Sequence, residues 1–178
     1  DNHIEKTAKN VILATGARSR NLPFVSSDGV NIWDYKTAMT PPKLPASLII
    51  VGSGAIGMEF ASFYNDLGVD VTIVEALPSI LPNEDTDISK IVKLNFEKRG
   101  IKIRTNSALK SVSSKENSVL AEIINNKKVE TINSEKLILA IGIIANTEKL
   151  GLKDFNVKID KGHVVTNEFL ETDEKGVY

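Results

Sequence analysis

The sequence predicts an α/β chain in which a βαβαβ unit builds a parallel sheet and a three-stranded antiparallel meander accompanies it. Two short runs stand out: SLIIV (47–51), apolar on both faces as strands at the centre of a parallel sheet are, and VDVTIVE (69–75), rich in β-branched residues. Each leads into a stretch of helical character. After the second helix the pattern changes to short, partly alternating runs separated by polar turns, the mark of antiparallel hairpins.

Taken in order, KTAKNVILATG (6–16) reads as a strand ending at Gly16. A Pro-, Gly- and Ser-bearing connection follows from Leu22 to Pro45, with a helical turn expected in DYKTAM (34–39). SLIIV is the expected centre of the parallel sheet. The helix after it places Ile56, Phe60, Phe63, Tyr64 and Leu67 on one apolar stripe, and Gly68 stops it. VDVTIVE is β-branched and ends on a carboxylate, and LPSILP turns out of it. DTDISKIVKLNFEKRG (85–100) supplies a helix with Asp at its front and Lys, Arg and Gly at its back, complementing the macrodipole at both ends. IKIRT is the third strand. LKSVSS, SVLAEII and KVETI (within 108–133) form the meander, KLILAIG (136–142) re-enters the main sheet, and the tail from 151 holds two short strands or a loose connection. NVILATG aligns over KLILAIG when Gly16 is set against Gly142, an offset of 126 residues. Common descent would make the first segment the closing strand of a unit upstream; chance is the alternative, since apolar runs before glycine are common.

The 178 residues are 42% hydrophobic and 25% charged, enough apolar surface for a folded core. A net charge of −1 without a basic stripe argues against nucleic acid as a partner. The longest apolar run, LILAIGIIA (137–145), falls short of the roughly 20 residues that span a bilayer, and no cleavable leader precedes it. No membrane association is expected, and the location expected is cytoplasmic. Cysteine is absent, which removes a disulfide scaffold, a thiolate nucleophile and a sulfur-bound metal. His3 and His163 sit in polar settings without a partner at metal-ligand spacing and are expected at the surface, with no metal. Such a chain supports chemistry by holding a molecule rather than by attacking one.

The molecule is indicated by GSGAIG (52–57), placed between a predicted strand and a predicted helix, with Glu75 at the tip of the next strand. This is the pattern of a Rossmann-like dinucleotide site. Gly52 permits the tight turn, Gly54 removes the side chain that would block a pyrophosphate, and Gly57 lets helix and strand approach. The N–H groups of the first helical turn then face the phosphates. A carboxylate at Glu75 accepts from the ribose hydroxyls but meets a 2′-phosphate as a like charge. Two unit charges about 4 Å apart repel by roughly 4 kcal/mol at an effective dielectric of about 20 and by about 1 in water. No arginine follows closely, so NAD is expected over NADP. Glu59, in the first turns of the helix, reads on physical grounds as a charge that stabilises the helix N-terminus.

KLPASLIIVGSGAIGMEFASFYNDLGVDVTIVE, with VILATGARSR before it and LILAIG after it, resembles the flavoprotein disulfide reductases, and GSGAIGMEFASFY in particular is similar to the dihydrolipoamide dehydrogenase family. The likeness runs through the whole chain. It implies an FAD domain interrupted by an NAD domain: residues 1–18 as the closing strand of the first FAD half, 19–148 as the NAD-binding domain, and 149–178 as the return. It places Thr15, Gly16 and Ala17 near FAD in the intact protein. It gives NAD to Gly52, Ser53, Gly54, Ala55, Ile56, Gly57, Met58 and Glu75, sets Glu59 near the nicotinamide carboxamide, Leu109 beside the adenine and Gly142 near the nicotinamide ribose. Ala55 stands where NADP-linked relatives carry a tyrosine gate. After Gly142 the family carries an Arg-rich, Pro-containing stretch; here Ile143, Ile144, Ala145, Asn146 and Thr147 replace it.

The resemblance further implies a homodimer that passes electrons from dihydrolipoamide through a cysteine pair and FAD to NAD, serving a 2-oxo acid dehydrogenase complex. The cysteine pair would precede Asp1, and a His–Glu acid–base pair and the dimer interface would follow Tyr178. No catalytic residue is expected within this chain, which alone should bind NAD(H) weakly, show no dehydrogenase activity, and expose apolar surface around 11–14. Other members of the class, such as an NADH oxidase or a mercuric or thiol reductase, share the pattern, and a free-standing NAD-sensing module is the alternative outside it.

Overall fold

The computed structural model describes residues 4–178; His3 lies outside them. In chain order the elements are β1 (Ala17–Ser19), β2 (Ile32–Trp33), α1 (Tyr35–Met39), β3 (Ser47–Val51), α2 (Ala55–Asp66), β4 (Asp70–Val74), α3 (Thr86–Lys98) and β5 (Lys102–Arg104). There follow β6 (Ala108–Lys115), β7 (Ser118–Asn125), β8 (Lys128–Ser134), β9 (Lys136–Leu139), β10 (Ile143–Ala145), a 3-10 turn (Leu152–Asp154), β11 (Ile159–Asp160) and β12 (His163–Val164). The chain divides into two compact units, one spanning Ser19–Gly142 and the other joining the residues up to Arg18 with Ile143–Tyr178.

The Ser19–Gly142 unit is an α/β fold around a five-stranded parallel sheet of order β2-β9-β3-β4-β5. Alternate residues of β3 point to opposite faces. Leu48 and Ile50 enter a cluster with Met58, Ala61 and Tyr64 of α2, whereas Ile49 and Val51 enter one with Val119, Ala121 and Ile123 of the meander β6-β7-β8. The meander covers one face as the helices cover the other, which is why LIIV of β3 and LIL of β9 are apolar on both faces. Tyr64 anchors the helical face, its hydroxyl donating to the Ala38 carbonyl at 2.6 Å; burial pushes its phenol up to about 12.

The expected strands 47–51, 69–75, 101–105 and 136–142 and both long helices are present, each with slightly different ends. The stripe expected on α2 is corrected in part: Tyr64 is buried and Phe60 packs against the core, but the other three residues are not buried. Its buried residues are Gly57, Met58, Ala61 and Tyr64, while Ile56, Phe63 and Leu67 stay 37%, 51% and 49% exposed. Gly57 and Ala61 let the helix axis come close to the sheet, Met58 and Tyr64 fill the core beside them, and Ile56, Phe63 and Leu67 are turned to the flanks. The connection 22–45 also holds a strand that no pattern announced, β2, positioned by Asp28, whose Oδ1 accepts the N–H groups of Val30, Asn31 and Ile32, each at 2.8 Å.

In the other unit the strand expected over 6–16 is absent. Val11 makes one isolated parallel bridge to Val177, and three backbone bonds tie Val11 and Leu13 to Gly176 and Tyr178. An apolar run becomes a strand only where a ladder of partners continues. Here Ile12 is 77% exposed, and the chain turns at Gly16 (φ +71°) before β1 begins at Ala17. Of the two readings of the tail, short strands or a loose connection, the strands are present: β11 and β12 form an antiparallel hairpin.

Candidate functional site

A crevice of about 540 Å³ opens beyond the C-terminal ends of β3, β4 and β9. It lies where the order of strands reverses, β3 leading to β4 on one side and pairing with β9 on the other, the place where open parallel sheets take ligands. Its volume falls in the ordinary range of ligand pockets.

The glycines of the turn divide its work. Gly52 (φ +101°) donates its N–H to the Val74 carbonyl at 2.8 Å, and a Cβ there would collide with the carbonyl oxygen of Ala140. A Cβ on Gly57 would strike the Gly52 carbonyl oxygen, so α2 approaches the turn as closely as it does only because that position is bare. Gly54 is different: a Cβ there would meet nothing within 4 Å. Packing does not require glycine at 54; a ligand entering the crevice would. Gly54 is also the N-cap of α2, and no side chain caps that helix. Asp34 accepts from Thr37 N–H at the start of α1, and Asp85 from Asp87 N–H at the start of α3. The helix that faces the crevice is left with first-turn donors uncovered by any side chain, together with the positive end of its dipole.

Glu75 lines the same crevice and is 8% exposed. Its backbone joins the sheet edge, with Glu75 N–H donating to Arg104 O at 2.8 Å and Ser107 N–H to Glu75 O at 2.9 Å. Because Val51 pairs with Val74, the residues just beyond them meet as well. Ser53 donates to Glu75 Oε2 twice, from its N–H at 2.8 Å and its hydroxyl at 2.7 Å, and Leu77 N–H donates to Oε1 at 2.8 Å. The acidic strand tip is thus bound into the glycine turn.

Of the residues expected to hold the dinucleotide, Gly52, Ser53, Gly54, Ala55, Ile56, Glu75, Leu109 and Gly142 line the crevice together. Gly57 and Met58 are buried behind it, and Glu59 lies exposed on α2 outside the lining. Thr15, Gly16 and Ala17 belong to the other unit. There Asn146 straddles their turn, donating its side-chain amide to Thr15 O at 3.1 Å and its N–H to Gly16 O at 3.0 Å. The crevice also takes in Leu22, Ala76, Pro82, Ser107 and Ala108, which the sequence reading did not single out. Only Ser107 and Ala108 had a signal, their place beside Leu109 at the start of the meander. His163 is exposed on β12, and among the described residues no group of three or more His, Cys, Asp or Glu could hold a metal. No helix among them is long and apolar enough to cross a membrane.

The family model for pyridine nucleotide-disulphide oxidoreductases matches residues 1–178. The chain belongs to this family. Within it, the chain is 46% identical over 173 residues to a dihydrolipoyl dehydrogenase of Rhizobium etli, covering 97% of this chain and 36% of that protein. A dihydrolipoyl dehydrogenase of Zymomonas mobilis is also 46% identical, over 96% of this chain and 37% of its own length. Among solved structures, LpdA of Mycobacterium tuberculosis superposes with a TM-score of 0.85 at 32% identity, covering 96% of this chain and 37% of that one. The HOCl-induced flavoprotein disulfide reductase RclA of Escherichia coli gives 0.82 at 26%, covering 96% and 38%. The chain therefore spans between a third and two-fifths of the length of the relatives it matches, and those relatives are oxidoreductases.

Proposed function

We propose that the Ser19–Gly142 unit is the NAD(H)-binding portion of a dihydrolipoamide dehydrogenase. The pyrophosphate would lie over Gly54 and the first turn of α2, with the adenine ribose against Glu75 and the adenine beside Leu109. One observation carries this reading: the glycine at 54 faces open space at the head of the one long helix that lacks a side-chain cap. Bare backbone donors and a fixed positive dipole favour a phosphate there. The like-charge cost at Glu75 favours NAD over NADP.

In the intact protein, on the same reading, dihydrolipoamide reduces a disulfide, FAD takes the electrons, and NAD receives hydride at this unit, with Thr15, Gly16 and Ala17 near the flavin. The chain supplies the docking of NAD and no thiol, since it has no cysteine. Calorimetric titration of the 178-residue chain with NAD, NADH and NADP tests the proposal. NAD and NADH should bind measurably and NADP more weakly. Equal affinities for NAD and NADP, or lipoamide-dependent NADH formation by the chain alone, would contradict it.

A further inference from the structure

Ser53 is fully buried, yet it is a polar residue at the bottom of an open crevice, and both of its donors converge on one oxygen of Glu75. A carboxylate offers about four acceptor positions, two on each oxygen. On Oε2 both are occupied, by the Ser53 N–H and the Ser53 hydroxyl; on Oε1 the Leu77 N–H occupies one. A ribose diol that grips both oxygens needs one position on each. Only Oε1 has one to offer.

We propose that the Ser53 hydroxyl is a displaceable latch on Glu75, which holds the carboxylate in place and limits a bound ribose to a single hydrogen bond until the latch lets go. This rests on the dinucleotide reading above and adds to it a residue that sets how strongly the ribose is held. The two bonds of Ser53 are not equivalent. The N–H is fixed by the glycine turn, whereas the hydroxyl rotates about one bond and can be displaced by a competing donor. Displacement leaves a buried hydroxyl without its acceptor, which opposes the second ribose contact. Glu75 thus has a stabilised resting arrangement within the protein, and the nucleotide must compete with it.

The test compares adenosine 5′-monophosphate with its 2′-deoxy form, two ligands that differ by one ribose hydroxyl, by NMR titration of the 178-residue chain. With one acceptor position open, the wild-type chain should bind the two within about threefold of each other. Ser53→Ala removes the hydroxyl and keeps both backbone bonds to Glu75. It should raise the preference for the ribonucleotide to roughly tenfold, the low end of what a hydrogen bond to a charged group contributes. Ser53→Gly removes the same hydroxyl and should behave alike, and serves if the alanine variant does not fold. Equal preferences in wild type and both variants, with binding that Glu75→Gln weakens, would overturn the latch alone. Binding that Glu75→Gln leaves unchanged, or no binding of either ligand, would overturn the latch together with the nucleotide assignment.

Discussion

Replacing Glu75 by alanine should destabilise the Ser19–Gly142 unit in the complete absence of ligand. The side chain accepts three hydrogen bonds, two from Ser53 and one from Leu77. Leu77 is 47% exposed, so water can reach its N–H once the carboxylate is gone. Ser53 is 0% exposed, and its two donors would be stranded. An unsatisfied buried donor costs roughly 1–3 kcal/mol, and the open crevice admits some water, so a loss of about 3 kcal/mol is expected. That is a large share of the ~5–15 kcal/mol that holds a domain together. Glu75→Gln is the informative companion. Its amide oxygen can keep both Ser53 donors while its NH2 turns toward Leu77, where solvent compensates, and the loss should be about 1 kcal/mol. The assay is urea unfolding followed by fluorescence of Trp33, the single tryptophan, which lies 1% exposed in the helical-face cluster of this unit. A Glu75→Ala loss below about 1 kcal/mol with an unchanged denaturant slope would show that the carboxylate serves a ligand and not the fold.

Two glycines of the same turn should respond oppositely. Gly57→Ala forces α2 away from the Gly52 carbonyl and should cost about 1–3 kcal/mol in the same unfolding assay, whereas Gly54→Ala should leave stability within about 0.5 kcal/mol and weaken NAD binding; a reversed pattern would contradict the division of labour drawn from their surroundings. Tyr64 should confer an alkaline limit. Burial raises its phenol to about 12 from an unfolded value near 10, so the folded state keeps a proton that the unfolded state releases. Its contribution is complete below about pH 10, and stability falls by up to roughly 1.4 kcal/mol per pH unit as the pH rises toward 12. Tyr64→Phe should lose about 1 kcal/mol at neutral pH through the bond to Ala38 and flatten that alkaline slope; an unaltered slope would place the titration elsewhere.

Elements whose side chains declare their surroundings could be read directly. SLIIV and the apolar core of VDVTIVE, each covered on both faces, became β3 and β4, and the polar turns of 108–133 fell between the strands of the meander. Elements that depend on partners could not. VILATG carries a strand's composition but lacks a continuing ladder, and Ile32–Trp33 is too short for any period to register. The stripe on α2 was misplaced because hydropathy weighs bulk, whereas the approach of helix to sheet is set by Gly57 and Ala61, which have almost none. At the crevice, the glycines and Glu75 were legible one by one as ligand contacts. That Ser53 and Glu75 bind each other was not, since the register of β3 against β4 is what brings them together.

The place of β9 has its own consequence. It sits between β2 and β3, although it is the last of the five strands along the chain, and β2 has no other neighbour in the sheet. A nascent chain can pair β3, β4 and β5 through local crossovers, and α2 already offers Tyr64 to the Trp33 ring and to the Ala38 carbonyl, but β2 has no strand to pair with until residues 136–139 emerge and slot in. The entropy of closing that long loop falls on a single four-residue insertion, which makes KLIL the keystone of assembly rather than merely one more strand.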